Sequence, residues 1–141
     1  MAMKWLSVLG AAIFAVSCSA DRDEVSRVQS PDARLTAVLY ESSGGATTSY
    51  SYDIEVIETG GKAVPVSRLY GAVRSDSAYG VNLRWAGDTE LRVEYLSAKT
   101  ETVLTPSLSI AGRTVLIKLV SGVTDGSAPA GGMAYNRKGS A

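Results

Sequence analysis

Histidine is absent from this 141-residue chain, and cysteine occurs once, at Cys18. Without imidazole there is no Ser-His-Asp or Cys-His nucleophile, and no histidine to shuttle protons or ligate a metal. A single thiol permits neither an intramolecular disulfide nor a thiolate zinc site. Neither charge is in excess, since 14 Lys+Arg stand against 14 Asp+Glu. Proteins that track phosphates draw affinity from a basic surplus or stripe, so nucleic acid is not an expected partner. No apolar run reaches the roughly 20 residues of a transmembrane helix. No cofactor or metal is expected.

What is present begins at the N-terminus. Lys4 and the α-amino group form a short positive region, and an apolar or small-residue run over residues 5–16 follows. That length suits the apolar segment of a signal-peptide helix. The quartet Ala15-Val16-Ser17-Cys18 resembles the lipobox of bacterial lipoproteins, although Ala15 stands where that box usually has leucine. In that family the cysteine is diacylated and becomes the first mature residue. The resemblance implies a signal peptide over residues 1–17, lipidation of Cys18, and a membrane partner engaged through acyl chains. Each buried CH₂ contributes about 0.8 kcal/mol, so two chains hold stably where one holds marginally. Ser19 stands where the family's inner-membrane retention signal has Asp, which implies the outer membrane if the host has two. The alternative is ordinary secretion with cleavage after Ala20, which discards Cys18 and yields a soluble periplasmic or secreted protein.

The mature chain divides by composition. Residues 18–30 are polar and charged and read as a tether, with a short first strand at 25–28 as the alternative. Asp21, Asp23 and Glu24 lie close together, but no glycine-turned loop of further oxygen ligands follows, as calcium binding requires. From residue 31 to 121 the apolar period is two, which predicts strands. Tyr50, Tyr52, Ile54 and Val56 share one face of a strand whose other face carries Ser51, Asp53 and Glu55. Pro65 confines the strand at 64–73 to a sheet edge or a strand start. Residues 81–85 and 90–96 read as a hairpin, with Val81, Leu83 and Trp85 facing the core alongside Leu91, Val93 and Tyr95. Residues 114–120 form an apolar, β-branched run expected to be a strand. The expected fold is all-β, a small antiparallel sandwich or strongly curled sheet of about six or seven strands. Residues 122–141 are rich in Gly, Ala and Ser and read as a disordered tail.

The runs Ser30-Pro31-Asp32, Ala37-Val38-Leu39-Tyr40-Glu41 and Gly45-Ala46-Thr47-Thr48-Ser49-Tyr50-Ser51 resemble a group of small, exported, uncharacterised bacterial proteins. That group carries a Ser-Pro-Asp-Gly start and a Cys-Gly-Ala-Thr-Thr motif. Gly80-Val81-Asn82-Leu83-Arg84-Trp85 and Leu91-Arg92-Val93-Glu94-Tyr95 are similar to its closing hairpin. Ala33 stands where the group usually has Gly, and Gly44 where it has its cysteine. Gly-Ala-Thr-Thr is then expected to serve turn chemistry and hydroxyl hydrogen bonding. The group implies no activity. A Ser-Pro-Asp start also occurs in β-propeller blades, but this chain is too short for four blades.

Candidate chemistry is sparse. Asp53 and Glu55 would sit about 7 Å apart on one strand face, a spacing open to glycoside hydrolysis, but no aromatic sugar platform accompanies them. Hydroxyls abound at residues 47–51, yet the mature sequence lacks the Ser-x-x-Lys spacing and its lysines look isolated. The Gly44-Gly45 turn lacks the lysine and helix start of a phosphate loop. Tyr and Arg are enriched at binding hot spots. A recognition surface is therefore sought at Arg68, Tyr70, Arg74 and Tyr79, together with Thr47 and Thr48. The expected function is a non-enzymatic envelope lipoprotein that binds or helps assemble a partner, possible partners including an envelope protein. The alternatives are an inhibitor or immunity protein, and a small hydrolase using carboxylates or hydroxyls.

Overall fold

The structure is a computed structural model that describes residues 22–75 and 77–125, apart from the side chain of Tyr79. The expected signal-peptide helix, Cys18 and residues 126–141 lie outside the described residues.

Eleven β-segments follow one another: β1 (Arg22–Gln29), β2 (Leu35–Ser43), β3 (Tyr50–Glu58), β4 (Ala63–Tyr70), β5 (Arg74–Ser75), β6 (Ala78–Tyr79), β7 (Val81–Trp85), β8 (Glu90–Tyr95), β9 (Thr100–Val103), β10 (Ser107–Ile110) and β11 (Arg113–Val120). They build a five-stranded sheet ordered β1-β2-β3-β4-β9, a four-stranded sheet ordered β10-β11-β8-β7, and the two-residue ladder β5-β6. The described chain is all-β. Both principal sheets feed one hydrophobic core. Leu35, Leu39, Tyr52, Ile54, Val56 and Leu69 come from the first sheet, and Val81, Leu91, Val93, Val115 and Ile117 from the second.

Alternation accounts for this layering, because successive side chains of a strand point to opposite faces. In β3, Tyr52, Ile54 and Val56 are fully buried while Ser51 and Asp53 turn outward. The hairpin β7–β8 pairs Val81 with Tyr95, Leu83 with Val93 and Trp85 with Leu91, so the six expected core positions share one face. On its other face Arg84 pairs across the hairpin with Glu94 at 2.9 Å, and Arg92 pairs along β8 with Glu90 at 2.8 Å.

The two main sheets hold nine strands, more than the six or seven expected. One addition is β1. Residues 22–29, which allow either a tether or a short strand, pair along β2 from Arg22↔Ser42 to Gln29↔Thr36. A bulge between Glu24 and Ser26 interrupts that register, and Val25 alone in β1 is buried. A charged, bulged strand suits a sheet edge because it discourages pairing with other chains. The other sheet's edge β7 lies beside it, and the Trp85 indole Nε1 donates to the Val28 carbonyl at 2.9 Å. Pro65 falls within β4, which has neighbours on both sides. However, β9 pairs only with residues 67–70, so the proline removes no ladder bond on that side. It also sits beside a bulge in β4, where Ile54 pairs with Ser67 and Glu55 with Pro65, leaving Val66 as the extra residue.

One pairing is parallel: β11 lies along β8 from Leu116↔Glu90 to Val120↔Glu94. Parallel neighbours need a crossover, and here the chain leaves through β9 and β10 before returning. Residues 122–125, expected to open a disordered tail, are tied back instead. The backbone N–H of Gly122 donates to Leu96 O, that of Val123 to Tyr95 O, and that of Asp125 to Ser77 O.

The sandwich therefore has two distinct ends. At one end lie the turns at 30–34, 59–62 and 86–89. At the other lie the loops 44–49 and 96–99 and the short ladder β5-β6, with Arg22 and Asp125 where the described chain starts and stops.

Candidate recognition surface

The six residues expected to form a recognition surface are not brought into one patch. Thr47 and Thr48 are exposed in the β2–β3 loop. Gly45 takes a φ of 122°, and the Thr48 N–H and hydroxyl both donate to Gly45 O, at 3.3 and 3.2 Å. Gly-Ala-Thr-Thr thus closes a turn. Ser49, next in the loop, donates its N–H to the Tyr70 phenol oxygen at 3.1 Å. Its hydroxyl accepts from Lys99 Nζ at 2.6 Å, and that ammonium lies 5.8 Å from the Tyr70 ring centre. Hydrogen bonding from the Ser49 backbone and hydroxyl, with help from the Lys99 charge, lowers the Tyr70 pKa below its ordinary value.

Ser49 and Lys99 lie 50 residues apart in sequence. Lys99 looks isolated there because the β4–β9 pairing, which brings Thr100 opposite Tyr70, has no local signature. The hydroxyl, phenol and ammonium make an exposed polar cluster at the loop end of the sandwich. Arg68 stands one register step along the outer face, with 61% of its side chain exposed and its Nε 2.5 Å from Asp53 Oδ1.

Arg74 goes elsewhere. Its side chain is only 16% exposed and reaches inward, placing its guanidinium carbon 3.8 Å from the Tyr50 ring centre and its Nε 4.0 Å from Glu41. It is an internal anchor for the short ladder β5-β6 and not part of the surface. Sequence reasoning missed its partner Glu41, which follows Leu35, Ala37 and Leu39 on the core face of β2 and is 3% exposed. Burial lowers the pKa of Arg74, but the Tyr50 phenol and the Glu41 carboxylate more than offset this and leave it raised. Burial, reinforced by the Glu41 charge, pushes the neighbouring Tyr52 phenol far above its usual range. Gly80 closes this cluster from above, since a Cβ there would come within 2.6 Å of the Tyr52 hydroxyl. Tyr79 is placed opposite Arg74 by backbone pairing.

Asp53 and Glu55, the carboxylates that could suit glycoside hydrolysis, lie on the outer face of the five-stranded sheet. Asp53 is tied to Arg68, and Glu55 to Arg22 at 2.8 Å. Glu55 is 8% exposed despite facing outward, because Arg22 lies over this region with its guanidinium carbon 3.7 Å from the Tyr40 ring centre. Among the described residues no cluster of three or more His, Cys, Asp or Glu side chains could hold a metal ion.

The opposite end carries a second polar cluster that the sequence shows only as a motif. Asp32 accepts from the Ser30 hydroxyl at 2.7 Å, from the Arg34 N–H at 3.2 Å, and from the Arg113 guanidinium through both carboxylate oxygens. The Asp32 N–H in turn donates to Asp88 at 2.9 Å. The Ser-Pro-Asp turn is thus a clamp joining the β1–β2 turn to the β7–β8 turn and to β11. Comparison with family models, with curated proteins and with solved structures finds no match to this chain.

Proposed function

We propose that this chain is an exported lipoprotein, acylated at Cys18, whose β-sandwich is a non-enzymatic binding or assembly module of the cell envelope. The observation that carries the reading is the N-terminal series: a short positive start, an apolar run over residues 5–16, and Ala15-Val16-Ser17-Cys18. Ser19 favours the outer membrane in a two-membrane host. The contact surface of the module is the loop-end cluster of Thr47, Thr48, Ser49, Tyr70 and Lys99, flanked by Arg68. One feature of the chemistry supports binding over hydrolysis: Asp53 and Glu55 are each held by an arginine on the outer face of the five-stranded sheet.

The experiment is metabolic labelling with a radioactive fatty acid, joined to mass spectrometry of the mature N-terminal peptide. A diacylated Cys18, with the label lost in Cys18→Ser, is the expected result. A mature chain that starts at Asp21 refutes the anchor and leaves a secreted protein. Chemical cross-linking in intact envelopes then tests the module. A single stoichiometric hydrolase recovered as partner would favour the inhibitor reading over assembly.

A further inference from the structure

The polar residues that would have made a flexible leash are built into the sheet. Arg22 already pairs with Ser42, and β1 runs to Gln29. Cys18 precedes Arg22 by four residues, and four residues span at most about 14 Å when fully extended. The end of the sandwich at which β1 begins is thereby held close to whatever holds Cys18. That end carries Ser42 and Ser43, the exposed loop 44–49, Tyr70 at the close of β4, and Lys99 beside Thr100.

The nine residues of β3 separate this end from the far turns by about 26 Å at 3.3 Å per residue. A domain on a long tether samples all orientations, whereas one joined by so short a link presents one end to the bilayer. We propose that the loop end is a membrane-facing surface whose partner is the phosphate and glycerol layer of the bilayer that holds the acyl chains of Cys18. This rests on the lipoprotein reading and deepens it by naming what the contact surface meets.

The chemistry of the cluster fits that layer. The Lys99 ammonium and the hydroxyls of Thr47, Thr48 and Ser49 are donors for phosphate and ester oxygens, and Tyr70 is an amphipathic ring of the kind enriched at membrane interfaces. Leu104 and Leu116, two of the three large exposed apolar side chains among the described residues, lie outside this loop cluster. The contact is therefore a shallow polar one, in which the acyl chains supply affinity and the loop end supplies orientation. Envelope proteins would then reach the module from its flanks or from the end marked by Asp32.

The test uses full-length acylated protein from the envelope, reconstituted into phosphatidylethanolamine–phosphatidylglycerol vesicles. An environment-sensitive fluorophore is attached at Thr47→Cys or, as the far-end comparison, at Lys62→Cys. The Cys18 sulfur is closed by its thioether and takes no label. Lipids with a nitroxide on the headgroup are expected to quench the Thr47→Cys probe several-fold more than the Lys62→Cys probe. In Lys99→Glu that ratio should fall. Equal quenching, or stronger quenching at Lys62→Cys, overturns the inference. The same sample's N-terminal mass separates the two failures: acylated Cys18 with equal quenching overturns only the orientation, whereas unacylated protein overturns the lipoprotein reading as well. Cross-linking of the Thr47→Cys site to a protein in intact envelopes, in place of lipid quenching, would also overturn it.

Discussion

Replacing Ala33 with glycine isolates one backbone angle at the Ser-Pro-Asp clamp. Ala33 is exposed and has φ 61°, in the left-handed region that L-residues other than Asn and Asp rarely occupy. Its N–H donates to Ser30 O at 2.8 Å, and the Asp32 bonds to Ser30, Arg34 and Arg113 leave the turn no cheaper geometry. A Cβ in this conformation costs about 1–2 kcal/mol. Glycine removes that penalty but adds about 0.4–1 kcal/mol of unfolded-chain entropy. The balance is a net stabilisation of about 0.5–1 kcal/mol, or about 2–8 °C in Tm for a domain of this size. The assay is urea and thermal unfolding of residues 18–141 carrying Cys18→Ser, with the urea midpoint expected to rise at constant m-value. Ala46→Gly is the internal control, because Ala46 is also an exposed turn alanine but has no positive φ. It should lose about 0.4–1 kcal/mol through the unfolded chain alone. If Ala33→Gly moves the midpoint in the same direction as Ala46→Gly, the strain assigned to the turn is refuted.

Three further perturbations test other joints of the fold. The Arg113 guanidinium, with the Ser30 hydroxyl, holds the Asp32 carboxyl well below the usual carboxylate range. A depressed carboxyl contributes fully above its unfolded value of about 4 and loses that contribution as pH falls towards its lower folded value. Asp32→Asn should therefore lower stability at neutral pH and flatten the decline of the urea midpoint below about pH 4; an unchanged acid limb would show that Asp32 does not set it. Gly80→Ala combines a φ of 92° with a Cβ 2.6 Å from the buried Tyr52 hydroxyl. It should destabilise by about 2–4 kcal/mol in the same assay, and a loss under 1 kcal/mol would count against the close approach. Trp85→Phe keeps an aromatic ring but removes the donor to Val28 O, with an expected loss of about 1 kcal/mol. Hydrogen exchange should localise that loss to β1 and β7, and a uniform change over both sheets would contradict the role of Trp85 as an edge closure.

Much of the sheet architecture is legible in the chain because burial on one face of a strand writes itself as a period of two. The β7–β8 hairpin shows this best, since its turn, register and both faces follow from residues 81–95 alone. Strand β1 is half-hidden for a definite reason. An edge strand with one buried residue, Val25, has the composition of a tether, and only its pairing with β2 distinguishes the two. The Ala33 departure from the group's glycine is visible in sequence, but its meaning as a left-handed residue depends on the turn around it. Glu41 misleads in the opposite sense: a charge at the end of an apolar run suggests a strand emerging into solvent, yet its alternation places it on the core face beneath Arg74.

Composition and local order by themselves determined that residues 22–120 are built mainly of strands, that these residues carry neither imidazole nor thiol, and which faces of the central strands turn inward. These are properties of near neighbours along the chain, whose spacing the backbone geometry converts directly into a face. Tertiary structure decided the rest: the parallel match of β11 to β8, the meeting of Ser49 with Lys99 and of Asp32 with Arg113, and the withdrawal of Arg74 from the surface. Each of those joins residues from distant strands. Their partners were selected by closing two sheets over one core, a collective packing condition that no local spacing encodes.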